Sequence, residues 1–169
     1  MREVTAMTKT YRVTPFVRMT NLFTSVAVRT RLPMGKMALL TVAGRKSGVP
    51  RTVPVAIMER EGQRYLIGAF GEVNWVRNLR AAGEATLTHG GATERVSAVE
   101  VEPEEAAPIL KENVSSAPAF VRAYFETTPE SSLADFAREA QQHPVFRLTP
   151  IANNGRMTDS NETSGRDAA

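Results

Sequence analysis

Residues 37–58 read MALLTVAGRKSGVPRTVPVAIM, and the parsing of this stretch decides the fold. Met37-Ala-Leu-Leu-Thr-Val-Ala43 is a short apolar run closed by Gly44, and Thr52-Val-Pro-Val-Ala-Ile-Met58 is a second. Short apolar runs with β-branched residues, bounded by glycine and proline, are the pattern of buried strands. The pair predicts an antiparallel hairpin whose turn carries Arg45, Lys46 and Arg51 with no carboxylate nearby. Pro54 has no N–H to give a sheet ladder, which places it at an edge or a bulge.

Working outward, Glu61-Gly62 reads as a tight turn into a third strand, Arg64–Phe70, where Gly68 and Gly71 let a ligand or another backbone come close. Asn74–Ala82 reads as a short helix with Asn74 as its cap and Gly83 as its stop signal. A second hairpin follows, from Ala85–His89 through Gly90-Gly91 to Thr93–Val101. Helices are expected from Pro103 to Asn113, Ala119 to Phe125 and Leu133 to Gln142, before a last strand at Val145–Leu148. Upstream, Thr14-Pro15 opens a helix ending near Leu32-Pro33, with Phe16, Met19, Leu22, Phe23, Val26 and Ala27 at helical spacing. The sum is an α+β protein built on an antiparallel sheet or small barrel; a doubly wound parallel fold needs strands and helices in alternation. Residues 1–13 are read as a flexible N-terminus, 14–150 as one domain, and the polar, aperiodic stretch 151–169 as a disordered tail.

The chain has 169 residues and no cysteine, so disulfides, thiolate metal sites and cysteine nucleophiles are excluded. It contains no apolar run of membrane-spanning length, and its first residues lack the layout of a secretory signal, so the expected compartment is the cytoplasm. Charge is unevenly spread. Val4 to Met58 contains no Asp or Glu, while Lys9, Arg12, Arg18, Arg29, Arg31, Lys36, Arg45, Lys46 and Arg51 all fall there. Such a field draws anions of several kinds: nucleic acid, acidic lipid headgroups or a phosphorylated ligand. Nucleic acid is not expected, because the aromatics that single-strand binders interleave with their cations are missing. The N-terminal helix carries only arginines as charged residues, which leaves two readings: peripheral contact with the inner face of the plasma membrane, or packing on the sheet with the arginines in solvent.

Gly44-Arg-Lys-Ser-Gly48 is not a P-loop, since that motif needs four residues between its glycines and a helix after it. Two glycines would nonetheless free backbone N–H groups to converge, with Ser47 adding a hydroxyl and Arg45, Lys46 and Arg51 adding donors suited to phosphate or carboxylate. A solvated basic turn is the alternative. His89 and His143 lie far apart without a neighbouring carboxylate pattern, read as surface residues, and give no metal site. No Gly-x-Ser-x-Gly elbow is present, and the acids after Glu100 are explained by a helix start. An enzyme with this inventory takes its reactive chemistry from a bound cofactor. Trp75 and Asn78 share a helical face and offer a flat ring and a polar edge to a ligand, or else Trp75 is a core residue.

Taken in order, LLTVAGRKSGVPRTVPV (39–55), RYLIGAFGEVNWVRNLRAAGEATL (64–87) and HPVFRL (143–148) resemble the deazaflavin (F420)-dependent nitroreductase family of actinobacteria. The likeness spans Thr14 to Pro150 and implies a split β-barrel related to flavin-nucleotide-binding oxidoreductases. It also implies the 5-deazaflavin coenzyme F420, whose ring carries ribityl, phosphate, lactyl and oligoglutamate groups. Carried over by motif, Arg45, Lys46 and Ser47 contact the phosphate, while Arg51 and the extended backbone of Thr52, Val53, Pro54 and Val55 line the cofactor groove. Gly68, Ala69, Phe70 and Gly71 pass close to the ring, and Trp75 with Asn78 shapes the pocket. The implied reaction moves a hydride to an electron-poor small molecule: a quinone, an activated alkene or a nitroaromatic. A tyrosine that some relatives place after the acidic helix corresponds to Phe120 or Tyr124, and Tyr124 is the candidate proton donor. Rival readings are an FMN-dependent reductase of the same fold and a non-enzymatic module that holds a cofactor or lipid. A second copy of the chain, as a homodimer, is the remaining expected partner.

Overall fold

The computed structural model describes residues 36–152. The expected helix over 14–33 with its membrane contact, the expected flexible N-terminus over 1–13 and the expected tail beyond 152 lie outside the described residues. Among the described residues six strands and four helices run in the order β1 (Met37–Ala43), β2 (Pro50–Arg60), β3 (Gln63–Ile67), α1 (Asn74–Ala82), β4 (Glu84–His89), β5 (Ala92–Glu100), α2 (Pro103–Ser116), α3 (Ala119–Arg122), α4 (Leu133–Glu139) and β6 (Val145–Pro150). All strand pairings are antiparallel, and the order β1-β2-β3-β6-β5-β4 closes into a barrel. This is the antiparallel barrel that the hairpin pattern predicts, and the split β-barrel that the resemblance implies.

Period-two alternation fills the barrel. Ala38, Leu40 and Val42 of β1 meet Val55, Ile57, Leu66, Leu87, Val96, Phe146 and Leu148 inside it, and Val76 and Leu79 of α1 join the same core. Burying side chains such as Leu66 or Phe146, both fully enclosed, contributes about 2–3 kcal/mol each. Residues of opposite phase, Met58, Tyr65 and Val145, face outward and bury a second cluster with Ile109 and Leu110 of α2 and Phe136 of α4. Among the described residues no helix is long and apolar enough to cross a membrane.

Pro54 lies where its missing donor predicts. The bonds Gly44 N–H to Val49 O and Ile57 N–H to Lys36 O bracket the β1–β2 ladder. Its alternation therefore turns the backbone groups of Arg51, Val53 and Val55 toward β1 and those of Thr52, Pro54 and Ala56 away from it. On that far side β3 pairs only from Ile57 onward, so this half of β2 is an open edge among the described residues.

Several boundaries differ from the sequence reading. β2 is longer than its apolar run because the hairpin register continues past it at both ends. β3 stops at Ile67 instead of Phe70, since the Gly68 N–H bonds to Pro144 O and the chain then turns through a Gly71 N–H to Gly68 O bond. Asn74 is not the cap of α1: extended Val73 holds that position without a side-chain cap bond, and Asn74 is the first helical residue. α2 runs past Asn113 to Ser116, while α3 and α4 end at Arg122 and Glu139, short of Phe125 and Gln142. Glu61-Gly62 is the tight turn foreseen, with both residues at positive φ, as a type I′ hairpin requires.

Candidate functional site

The turn between β1 and β2 folds on itself. Gly44, Ser47 and Gly48 N–H groups bond to backbone carbonyls within the turn, and Val49 N–H bonds to Ser47 Oγ at 3.3 Å. This corrects the expectation that these N–H groups converge outward on an anion: the hairpin has already used them. What the turn presents instead is side-chain charge. Arg60, Arg64, Arg77, Arg80, Arg95, Arg138 and Arg147 all pair with a carboxylate. Arg45, Lys46 and Arg51, all exposed, have no such partner among the described residues. Three neighbouring uncompensated cations form a local positive field that an anionic ligand can neutralise.

Asn78 fixes that turn. Its side chain is buried, and Oδ1 accepts the Arg45 N–H at 3.2 Å and Arg45 Nη1 at 3.0 Å. The Asn of the Trp-x-x-Asn spacing thus reaches across the fold to the basic turn, and its bonds go to protein. Trp75 packs half-buried on the barrel core, with its ring 6.4 Å from that of Phe146, as the core reading of this residue expects.

The other end of α1 touches the loop after β3. A Cβ at Gly68 would lie 3.2 Å from Val76 Cγ2, 3.2 Å from Gly71 O and 3.3 Å from Pro144 Cδ, so close packing of backbone against α1 requires glycine there. Gly71 turns the loop at φ 78°. Arg80 of α1 holds Glu72 at 2.6 Å and Glu100 at 2.5 Å, tying the loop's far end to β5. The hydrogen bond to Arg80 is the main cause of the lowered pKa of Glu72. Between these anchors Phe70 meets Tyr124 edge to face, ring centroids 4.9 Å apart at 86°. Phe120 is 67% exposed, so of the two register choices it is Tyr124 that the structure brings to the Phe70 loop.

Of the expected groove segment, Val53 and Val55 turn their side chains into the barrel. The Thr52 hydroxyl bonds to that of Thr41 at 2.8 Å. The open edge is consequently formed by the backbone of Thr52, Pro54 and Ala56. Ala69 packs on the outer cluster.

His143 is not a surface residue. It is 4% exposed, its Nδ1 lies 3.2 Å from Gly68 O, its ring stacks on Phe125 at 4.0 Å, and Glu139 Oε1 is 3.5 Å from Nε2. The carboxylate partner was in the sequence at spacing i, i+4, Glu139 to His143. That was the missed signal, because such a pair faces inward only once α4 is docked. Burial pushes the imidazole's pKa down, outweighing backbone hydrogen bonds with Gly68, Tyr124 and Ala69 and the charge of Glu139. A carbonyl only accepts, so the contact with Gly68 is a hydrogen bond when Nδ1 carries the ring proton. The unfolded imidazole titrates near 6.5, so this contribution to stability is fully present above that pH and is lost as pH falls through the lower folded value. The thermal midpoint is expected to fall as pH drops below about 6.5, and His143→Asn is expected to flatten that part of the profile in buffered melts.

A closed antiparallel barrel, a hairpin turn whose cations have no carboxylate partner among the described residues, and an aromatic-edged loop held against one short helix define the class by its fold: a split β-barrel with a basic turn beside it. The profile of the F420H(2)-dependent quinone reductase family matches residues 12–130, and the chain belongs to that family. It is accordingly an oxidoreductase of the F420H2-dependent kind, as the resemblance implies. Among solved structures, an F420-H2 dependent reductase (FDR-A) is 23% identical over 68% of this chain and 94% of its own, with a TM-score of 0.48. A domain-swapped dimer is 22% identical over 79% and 97%, with a TM-score of 0.50. A putative pyridoxamine 5'-phosphate oxidase from Listeria innocua is 14% identical over 77% and 94%, with a TM-score of 0.48. At these identities the likeness concerns the fold. No curated protein matches the chain.

Proposed function

We propose that this protein binds F420H2 between the basic turn and the Phe70 loop and reduces a quinone-class acceptor. The observation that carries this reading is the fixed, uncompensated cation cluster, with Arg45 locked to Asn78 on the same helix that packs against Gly68. The residues fit the cofactor. Arg45, Lys46, Arg51 and the Ser47 hydroxyl suit a phosphate and carboxylate tail, and Phe70 supplies an apolar edge for a flat ring.

When bound, the reduced deazaflavin supplies a hydride. Converting a quinone to a hydroquinone takes one hydride and one proton, and Tyr124 is positioned beside Phe70 to deliver the proton to the acceptor oxygen. The protein's remaining contribution is alignment of donor and acceptor in a site walled by packed aromatic side chains. The acceptor is a quinone rather than a nitroaromatic in this reading, because the family is one of quinone reductases.

Anaerobic turnover of menadione with F420H2, and with reduced FMN in parallel, tests the reading: F420H2 supports turnover and reduced FMN does not. Tyr124→Phe is expected to lower kcat about 100-fold while leaving KM for F420H2 nearly unchanged, and Phe120→Ala to leave both. Equal turnover with reduced FMN would give the flavin enzyme precedence.

A further inference from the structure

Both walls of the proposed ring pocket are anchored to one buried pair. On one side His143 Nδ1 lies 3.2 Å from the carbonyl of Gly68, the residue that begins the loop carrying Phe70. On the other, the Glu139 carboxylate accepts the N–H groups of Glu126 at 2.7 Å and Thr127 at 2.8 Å, just past Tyr124. Phe125 completes the link by stacking on the imidazole. The two side chains are 3% and 5% exposed, so neither presents a surface to a ligand. Packing apolar side chains in this space would avoid the desolvation cost that a carboxylate and an imidazole carry. What apolar packing lacks is direction: three hydrogen bonds from one pair fix two chain segments that are far apart in sequence. Gly68 N–H to Pro144 O and Gly71 N–H to Gly68 O shape the turn, and the His143 contact adds a direction at the same Gly68 carbonyl.

We propose that Glu139 and His143 are positioning residues that set the spacing and orientation of Phe70 and Tyr124, and through them the alignment of cofactor and acceptor, while touching neither. This rests on the reading that the ring pocket lies at Phe70 and Tyr124. The pair is separate from the tail-binding cations, which sit on and beside the β1–β2 turn, where Asn78 holds Arg45. Loss of the pair therefore separates affinity from turnover.

The test compares His143→Leu with His143→Asn, whose amide nitrogen can stand in for Nδ1 as donor to Gly68. Three quantities are read: amide hydrogen exchange at 69–72 and 124–127 in the ligand-free protein, the Kd for F420, and kcat with menadione. His143→Leu is expected to speed exchange in both walls and to lower kcat about tenfold or more, with Kd changed less than about threefold. His143→Asn restores protection and most of kcat. Unchanged exchange and kcat in His143→Leu overturn the proposal, as does a His143→Asn variant no better than His143→Leu, or a loss of Kd equal to the loss of kcat. Should His143→Leu not fold, Glu139→Gln, which gives up one of the two acceptors, is read by the same criteria. If wild-type protein fails to bind F420 while His143→Leu still loosens both walls, the clamp is supported and the functional reading falls.

Discussion

Replacing Lys46 and Arg51 together by alanine is expected to weaken F420 binding about 100-fold at low salt, with little change in thermal stability. A hydrogen bond to a charged group is worth about 1.5–3 kcal/mol, and two of them, discounted for exposure, amount to about two powers of ten. The fold is spared because neither side chain pairs with any group among the described residues and both are exposed. Salt supplies the second half of the expectation. With a screening length of about 10 Å at 0.1 M, wild-type affinity declines as salt rises, whereas the double variant, having lost the cations responsible, responds weakly. Calorimetric titration at two ionic strengths checks both statements. A double variant with wild-type affinity would remove the basic turn from the site.

The second large effect is expected at Asn78. Asn78→Leu leaves the Arg45 N–H without its acceptor and releases the guanidinium, which costs about 1–3 kcal/mol in a buried setting and loosens the turn. F420 affinity should fall about tenfold through loss of preorganisation, although no charge has been altered. Asn78→Asp separates geometry from charge. It keeps the acceptor and holds the turn, so the melting midpoint is retained, but its carboxylate offsets the charge of Arg45 and affinity still falls. If Asn78→Leu binds as the wild type does, the bracket is structural only.

Much of the fold was legible because it is written in local signals. Apolar runs of strand length, type I′ and Gly-Gly turns and a proline that cannot join a ladder need no tertiary knowledge to interpret, and together they specify hairpins. Closure is different: the pairing of β3 and β5 with β6 joins segments whose register depends on the twist of the whole barrel, and nothing local encodes it. Within the site, the cations on the turn were readable as an unusual absence of carboxylates. Their fixation was not, since the bond from Asn78 to Arg45 joins residues brought together only when α1 packs on the barrel. The expected outward N–H cradle failed for a related reason. Glycines permit such a cradle, but a tight hairpin satisfies the same groups more cheaply within itself. His143 was misread because the i, i+4 spacing of Glu139 to His143 does not by itself tell a buried pair from an exposed one. Its inward face depends on α4 docking, on the Phe125 stack and on a carbonyl from a loop 75 residues away.

The central question is whether the basic turn and the neighbouring loop hold F420. Trp75, the only tryptophan, packs on the barrel core in the helix that brackets the turn, and its fluorescence reports on that region. Titration of the purified protein with F420 at about 0.05 M and 0.3 M salt is the measurement, with FMN as the parallel ligand. The account predicts saturable quenching with a Kd in the micromolar range or tighter that weakens at the higher salt. Absence of quenching by F420, together with tight and salt-insensitive binding of FMN, would contradict it.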